Sequence, residues 1–246
     1  MQGGLVYIHP FGEEMNRSRR MAMLQARAFA GAGYAVLQID LHGCGDSAGH
    51  FGEASWDSWL DDVMLAQQWL RNRIEGPLWL WGLRAGCLLA ADLARRAASP
   101  ATHFLLWQPV LSGRQHLKQF LRLNFTADLV RGTRAAGADL LASQLSQGAA
   151  VEVGGYCVTP DLAGGLTLAS LDTISPHSQV ACLELSGSAS QGLSPALRAQ
   201  LLRWESAGCR VSGRSLEVPL FWQTFEAEAC PALIDATLAA VAGASA

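Results

Sequence analysis

Apolar positions along the chain follow two alternating rhythms. Short, mainly apolar runs occur at residues 4–9, 34–40, 78–81 and 103–107. Their length and β-branched or aromatic content predict buried strands. Between them lie stretches with helical spacing. Met21, Leu24, Ala28 and Phe29 share a face of a helix predicted over 18–31, with Gly31 and Gly33 as its stop. Trp56, Trp59, Leu60, Val63 and Leu70 define a second helix over 56–73, and 87–96 reads as a third. The second carries Asp57, Asp61 and Asp62 early and Arg71 and Arg73 late, which suits the helix dipole. Strand–helix alternation of this kind predicts parallel strands joined by right-handed crossovers, an α/β fold.

The rhythm breaks between residues 111 and 178. Residues 115–123 and 127–145 look helical, 151–158 extended, and 161–171 helical or mixed. Alternation resumes with a strand at 180–185, a helix at 195–207, a strand within 210–218 and a helix at 230–241. The expected organisation is therefore one core made of 1–110 and 179–246, with 111–178 inserted as a cap. The Ala/Gly/Ser tail from Ala239 is expected to fray.

Composition narrows the function classes. At 246 residues and 50% hydrophobic content the chain can bury a sizeable core. A net charge of −3 without any Lys/Arg block argues against a nucleic-acid partner. The N-terminus does not resemble a signal peptide, and no apolar stretch is long enough for a membrane span. Six cysteines (44, 87, 157, 182, 209, 230) lack CxxC spacing. That pattern predicts reduced thiols in a cytoplasmic protein, with neither a metal site nor a cofactor.

The chemistry centres on residues 78–91. A short strand runs into Gly82-Leu83-Arg84-Ala85-Gly86 and then into a helix. That is the layout of a nucleophile elbow, in which two glycines let strand and helix close around one strained residue. The central position, where a serine hydrolase has its nucleophile, is Arg84, and a guanidinium stays protonated at physiological pH. An acid is expected after the strand ending near Leu185, but Ser186-Gly187-Ser188-Ala189-Ser190 supplies none. No histidine follows His177, and Phe221-Trp222-Gln223-Thr224 stands where the base belongs. All three roles of the Ser-His-acid mechanism are unfilled.

Two loops complete the pattern: His9-Pro10-Phe11-Gly12 after the first strand, and Asp40-x-His42-Gly43-x-Gly45-x-Ser47. With the elbow, they resemble the α/β-hydrolase fold, a mostly parallel central sheet with helices on both faces and a small inserted cap. More narrowly, several stretches resemble the exosortase A system-associated hydrolase 2 family. They are His9-Pro-Phe-Gly-Glu-Glu-Met-Asn-Arg-Ser-Arg-Arg20, Asp40-Leu-His-Gly-Cys-Gly-Asp-Ser47, Trp56-x-x-Trp-Leu-Asp-Asp62, Trp81-Gly-Leu-Arg84 and Phe221-Trp-Gln-Thr224. The resemblance implies a place in an exopolysaccharide or cell-envelope system. It also implies a second α/β hydrolase as neighbour and possible partner.

Three functions follow as expectations. In the first, the backbone N–H groups of Phe11 and Ala85, the former oxyanion hole, join Arg84 to bind an anionic ligand in a degenerate hydrolase or accessory protein. A carboxylate from Glu13, Glu14 or Asp46 is the competing partner for that guanidinium. In the second, an ester or thioester hydrolase or acyltransferase works through Glu13, Glu14 or Cys44. In the third, the chain is a partner subunit of an active hydrolase. His9, Pro10, Asp46, Ser47, Trp222 and Gln223 are expected to line the pocket, with Asp46 and Ser47 bonding their own turn, Trp222 and Gln223 filling the cavity, and Trp222 alternatively offering a stacking surface to a glycan ring. His177 closes the cap and is read as a loop histidine.

Overall fold

The computed structural model describes residues 1–96, 102–131, 137–172, 174–187, 192–224 and 229–243, excluding the side chains of 124–131. Ser188, Ala189 and Ser190 and the last residues of the tail, 244–246, fall outside this range. Two compact units emerge: Met1–Ile39, Val63–Leu111 and Leu171–Ala246 form the first, and Asp40–Asp62 with Ser112–Ser170 the second.

The first unit is built on strands β1 (Gly3–Ile8), β2 (Tyr34–Gln38), β3 (Leu78–Leu83), β4 (Thr102–Trp107), β7 (Gln179–Ser186) and β8 (Arg210–Glu217). They form one six-stranded sheet in the order β2-β1-β3-β4-β7-β8, parallel throughout. This is the parallel sheet that the strand–helix rhythm predicted, and it is the α/β-hydrolase fold that the two loops and the elbow resemble. Every residue of β1 and β3 is buried, which explains why their sequences show no alternation.

Helices α1 (Glu13–Gly31) and α8 (Pro231–Ala242) cover one face of the sheet. Met21, Ala22 and Phe29 from α1 and Leu233, Ala236 and Val241 from α8 meet Tyr7, Trp81, Leu105, Trp107 and Leu183 there. The Trp107 Nε1–H donates to Thr237 Oγ1 at 3.1 Å, fastening α8 to β4. Helices α2 (Trp56–Arg71), α3 (Ala85–Arg96) and α7 (Pro195–Ser206) supply the other crossovers. α3 is buried from Ala85 to Ala94, so it sits in the core and does not lie on the surface as an amphipathic helix would.

α1 starts five residues earlier than its apolar spacing predicts. The stretch 13–20 is almost wholly polar, and only Met15 and Ser18 turn inward. Gly12, at φ 63°, reverses the chain, and Glu13 and Glu14 then favour a helix N-terminus electrostatically. The two acids therefore lie in a first helical turn and not on a loop.

The second unit contains α4 (Gly113–Arg131), α5 (Ala138–Ser146), α6 (Pro160–Leu168) and the hairpin of β5 (Val151–Val153) and β6 (Tyr156–Val158). The two helices expected at 115–123 and 127–145 are instead one long helix and one short one. α4 runs through Asn124-Phe125-Thr126, whose weak helix propensity had suggested a break. The residues expected to be extended over 151–158 fold back at Gly154-Gly155, both at positive φ. Thr159 caps α6 through the Leu162 N–H (3.2 Å), and its hydroxyl donates to Ala54 O at 3.1 Å.

Close backbone approach at the elbow rests on glycine. A Cβ on Gly86 would lie 2.1 Å from Ile8 O, and one on Gly82 would lie 2.6 Å from Cys87 N. Gly86→Ala is expected to lower unfolding free energy by about 3 kcal/mol. Gly31→Ala, whose methyl would meet nothing within 4 Å, should leave stability unchanged or raise it by about 0.5 kcal/mol. Urea unfolding of the two variants against wild type checks the contrast.

Candidate functional site

β3 ends at Leu83, and Arg84 follows in the left-handed region at φ 55°. Its N–H donates to Trp107 O at 3.1 Å, and its own carbonyl accepts from Cys87 N–H at 3.1 Å. The strained elbow geometry is therefore complete with arginine in the nucleophile's place.

The guanidinium turns toward the first turn of α1. Arg84 Nε and Nη2 donate to Glu14 Oε1 at 3.2 and 3.1 Å, and Nε lies 3.4 Å from Oε2. Both side chains are half-buried, 17% exposed for Arg84 and 25% for Glu14. On its other side the guanidinium carbon stands 5.8 Å from the ring centre of Trp222, within cation–π range. Of the three carboxylates considered for this cation, Glu14 is the one the fold delivers. Glu13 instead faces Arg17 at 3.6 Å and accepts from Asn16 Nδ2 at 3.2 Å.

Electrostatics at this point are crowded with positive charge. Ala85 opens α3, so its N–H has no intrahelical acceptor, and α1 begins beside it at Glu13. Two helix N-termini, each equivalent to about half a positive charge, thus adjoin a full guanidinium. Glu14 answers only part of this. Burial raises its pKa above the ordinary glutamate range, and the Arg84 charge and hydrogen bond work against that rise.

The loop Phe221-Trp222-Gln223-Thr224 is clamped. Arg17 Nη1 donates to Gln223 O at 2.8 Å, and Gln223 N–H donates to Leu220 O at 2.8 Å. Trp222 is buried at 2% exposure and stacks edgewise on Phe221, which reaches Trp107 in turn. An indole and a phenyl ring fill this volume, and Gln223 itself lies exposed.

Histidines of the first unit are His9, His103 and His177. Ile8 pairs with Gly82, so His9 leaves β1 level with the elbow. It is buried, and its Nδ1–H donates to Pro10 O at 2.6 Å, holding the loop that carries Phe11. His103 stands at the opposite end of β4, where its Nδ1 accepts from Gln179 N–H at 3.2 Å; burial, then Arg210 and Arg71, lower its pKa. His177 precedes β7, with its N–H on Gly208 O. It sits in a turn at φ 65°, two residues before β7 begins and so at the end of that strand away from Leu183.

Thiols offer no substitute here. Cys87 is fully buried against Trp107 O, and burial pushes its pKa well up. Cys44, Asp46 and Ser47 belong to the second unit. Cys44 is buried; Asp46 N–H donates to Asp40 Oδ2 at 2.9 Å, and Ser47 Oγ to Asp40 O at 2.5 Å, so the turn is self-bonded. Among the described residues no cluster of three His, Cys, Asp or Glu could hold a metal ion, and no helix is long and apolar enough to cross a membrane.

Sequence reasoning missed two positioning residues. Gln108, at φ 43°, follows β4; its N–H donates to Leu183 O and its Oε1 accepts from Leu185 N–H at 2.6 Å. Glu184 receives Ser194 N–H at 2.6 Å and so is engaged within β7's own loop. A polar residue directly after a strand was the available signal for Gln108, but long-range bonds of this kind leave no local pattern.

The family model described as serine aminopeptidase, S33, matches residues 1–152. A zebrafish (Danio rerio) protein, lysophosphatidylserine lipase ABHD12, is 28% identical over 118 residues, 46% of this chain and 30% of that protein. The chain thus spans under a third of that relative. Among solved structures, Est1E from Butyrivibrio proteoclasticus with ferulic acid bound is similar with a TM-score of 0.68 at 12% identity, over 98% of this chain and 90% of that one. A metagenome-derived lipolytic enzyme described with LipS and LipT gives 0.61 at 16% identity, over 98% and 94%. At such identities the likeness is one of fold.

Because the folded chain holds the Glu14 proton more tightly than the unfolded chain does, Glu14 contributes stability that is full below the ordinary glutamate range and lost as pH rises through the folded value. Relative to Glu14→Gln, the wild type is expected to lose stability between about pH 4 and about pH 8. Paired urea titrations at both pH values check the direction. A wild type that gains on the variant would mean that pairing outweighs burial.

Proposed function

Since the chain belongs to the serine aminopeptidase S33 family of α/β hydrolases, we propose that it keeps the family scaffold as an anion-binding or accessory protein, without Ser-His-acid catalysis. One observation carries this reading: the elbow holds a guanidinium bound side-on by Glu14. Nε and Nη2 are occupied, whereas Nη1 donates to no described group. That donor, the Ala85 N–H and two helix N-termini favour one further negative charge, a carboxylate or phosphate. The incoming anion shares the cation with Glu14, whose raised pKa lets it take up a proton more easily than an exposed glutamate.

Motifs resembling the exosortase A system-associated hydrolase 2 family support a role in that exopolysaccharide system, with a second α/β hydrolase as partner. Three of those stretches supply the groups around the guanidinium. Glu14 comes from the stretch beginning at His9, Arg84 from the Trp81 stretch, and the loop held by Arg17 from the Phe221 stretch.

The competing reading is an ester or thioester hydrolase with a non-standard site, in which half-buried Glu14 is the acid–base group. Short-chain nitrophenyl esters and a serine-directed fluorophosphonate separate the two. No burst and no covalent adduct are expected, and Arg84→Ser should remain inactive because no imidazole stands ready to take its proton. Turnover by either protein would overturn the binding reading. Acetate or phosphate titrated against tryptophan fluorescence should give saturable binding that Arg84→Met weakens about tenfold.

A further inference from the structure

We propose that the second unit carries a binding site of its own for a single-chain anionic amphiphile, one acyl chain with a carboxylate or phosphate head. The proposal is independent of the Arg84 reading. A groove of about 610 Å³ lies wholly within this unit, walled by α4, α5 and α6. Its floor is apolar: Leu117, Leu121, Leu145 and Ala163 are buried along it. Leu168 stands at its rim with 81% of its surface exposed, an arrangement that gains hydrophobic energy only when something covers it.

Charge on the wall is uneven. Arg114 and Lys118 project one turn apart from α4, both exposed, and neither pairs with a carboxylate among the described residues. The first turn of α4 meets the last turn of α6 through Gly113 N–H on Ala169 O at 3.0 Å. Arg114 therefore lies at the same end as Thr167 and Leu168, where the positive end of α4 meets the negative end of α6, so the positive charge of the mouth rests on Arg114 and Lys118. Asp139, in the first turn of α5, is the single acidic residue on the wall. The site thus offers a cationic mouth above an apolar trough.

An apolar floor beneath two basic side chains, unpaired among the described residues, favours an acyl chain with an anionic head. From Pro160 to Leu168 the groove follows about 12 Å of α6. An extended alkyl chain fits, with its head at Arg114 and Lys118.

Displacement of a dansyl-labelled undecanoate from the intact protein tests this. Octanoate, decanoate and dodecanoate should compete, each step tightening Kd about tenfold until the groove is full. Dodecyl phosphate alongside dodecanoate tells a phosphate head from a carboxylate. Dodecyltrimethylammonium should bind at least about tenfold more weakly. Arg114→Glu with Lys118→Glu should reverse that preference, and Ala142→Trp, which fills the trough without changing charge, should remove binding of either ligand. Arg84→Met should leave dodecanoate binding unchanged, which separates this site from the elbow. Absence of saturable binding, indifference to charge reversal, or binding only to phosphatidylglycerol vesicles and not to monomeric dodecanoate would overturn the proposal.

Discussion

A guanidinium placed at the start of a buried helix is electrostatically unwelcome, because the peptide N–H groups there already present positive charge. The elbow at Arg84 carries that conflict, and much around it can be understood as its resolution. Glu14 approaches from the first turn of α1, where a carboxylate is doubly favoured, by the guanidinium and by its own helix N-terminus. Placing Glu14 there requires α1 to start at once after Gly12, which turns the chain at positive φ. Arg17, one turn further along α1, then pins the loop that carries Trp222. A single exchange of hydroxyl for guanidinium is thus matched by a helix start, a carboxylate and a tethered aromatic loop.

The scaffold survives this exchange because its geometry is a matter of backbone. Gly82 and Gly86 let α3 close against β1 and β3, and Arg84 accepts the left-handed conformation that any elbow residue must. None of these constraints depends on which side chain sits at the centre. Catalysis does depend on it, and on two further side chains at distant points of the chain. One of those positions is now filled by the ring ladder from Trp81 through Trp107 and Phe221 to Trp222. The scaffold is thus complete whichever side chain stands at its centre.

The second unit obeys a different economy. Its core joins Trp56 and Trp59 to the groove-facing leucines, Leu162, Leu166 and the valines of the β5–β6 hairpin. Gly165 gives Trp56 its seat, since a Cβ there would lie 2.1 Å from the Trp56 Cβ. The three helices leave a trough between them and do not close fully, and the exposed leucine at its rim is the surface cost of that openness.

Local pattern in the sequence was enough for the strands, most helices and the elbow with arginine at its centre, because each is encoded by neighbours or by a residue's intrinsic chemistry. Arg84 could be read as a fixed cation from its side chain alone. Which of Glu13, Glu14 and Asp46 would face it could not, since adjacent acids on a helix point about 100° apart and only the helix's seating on the sheet chooses between them. The start of α1, the passage of α4 through Asn124-Phe125-Thr126 and the bond from Gln108 to β7 were likewise settled by tertiary packing. Propensity and periodicity act over a few residues, whereas these outcomes rest on contacts between segments that the chain brings together only when folded.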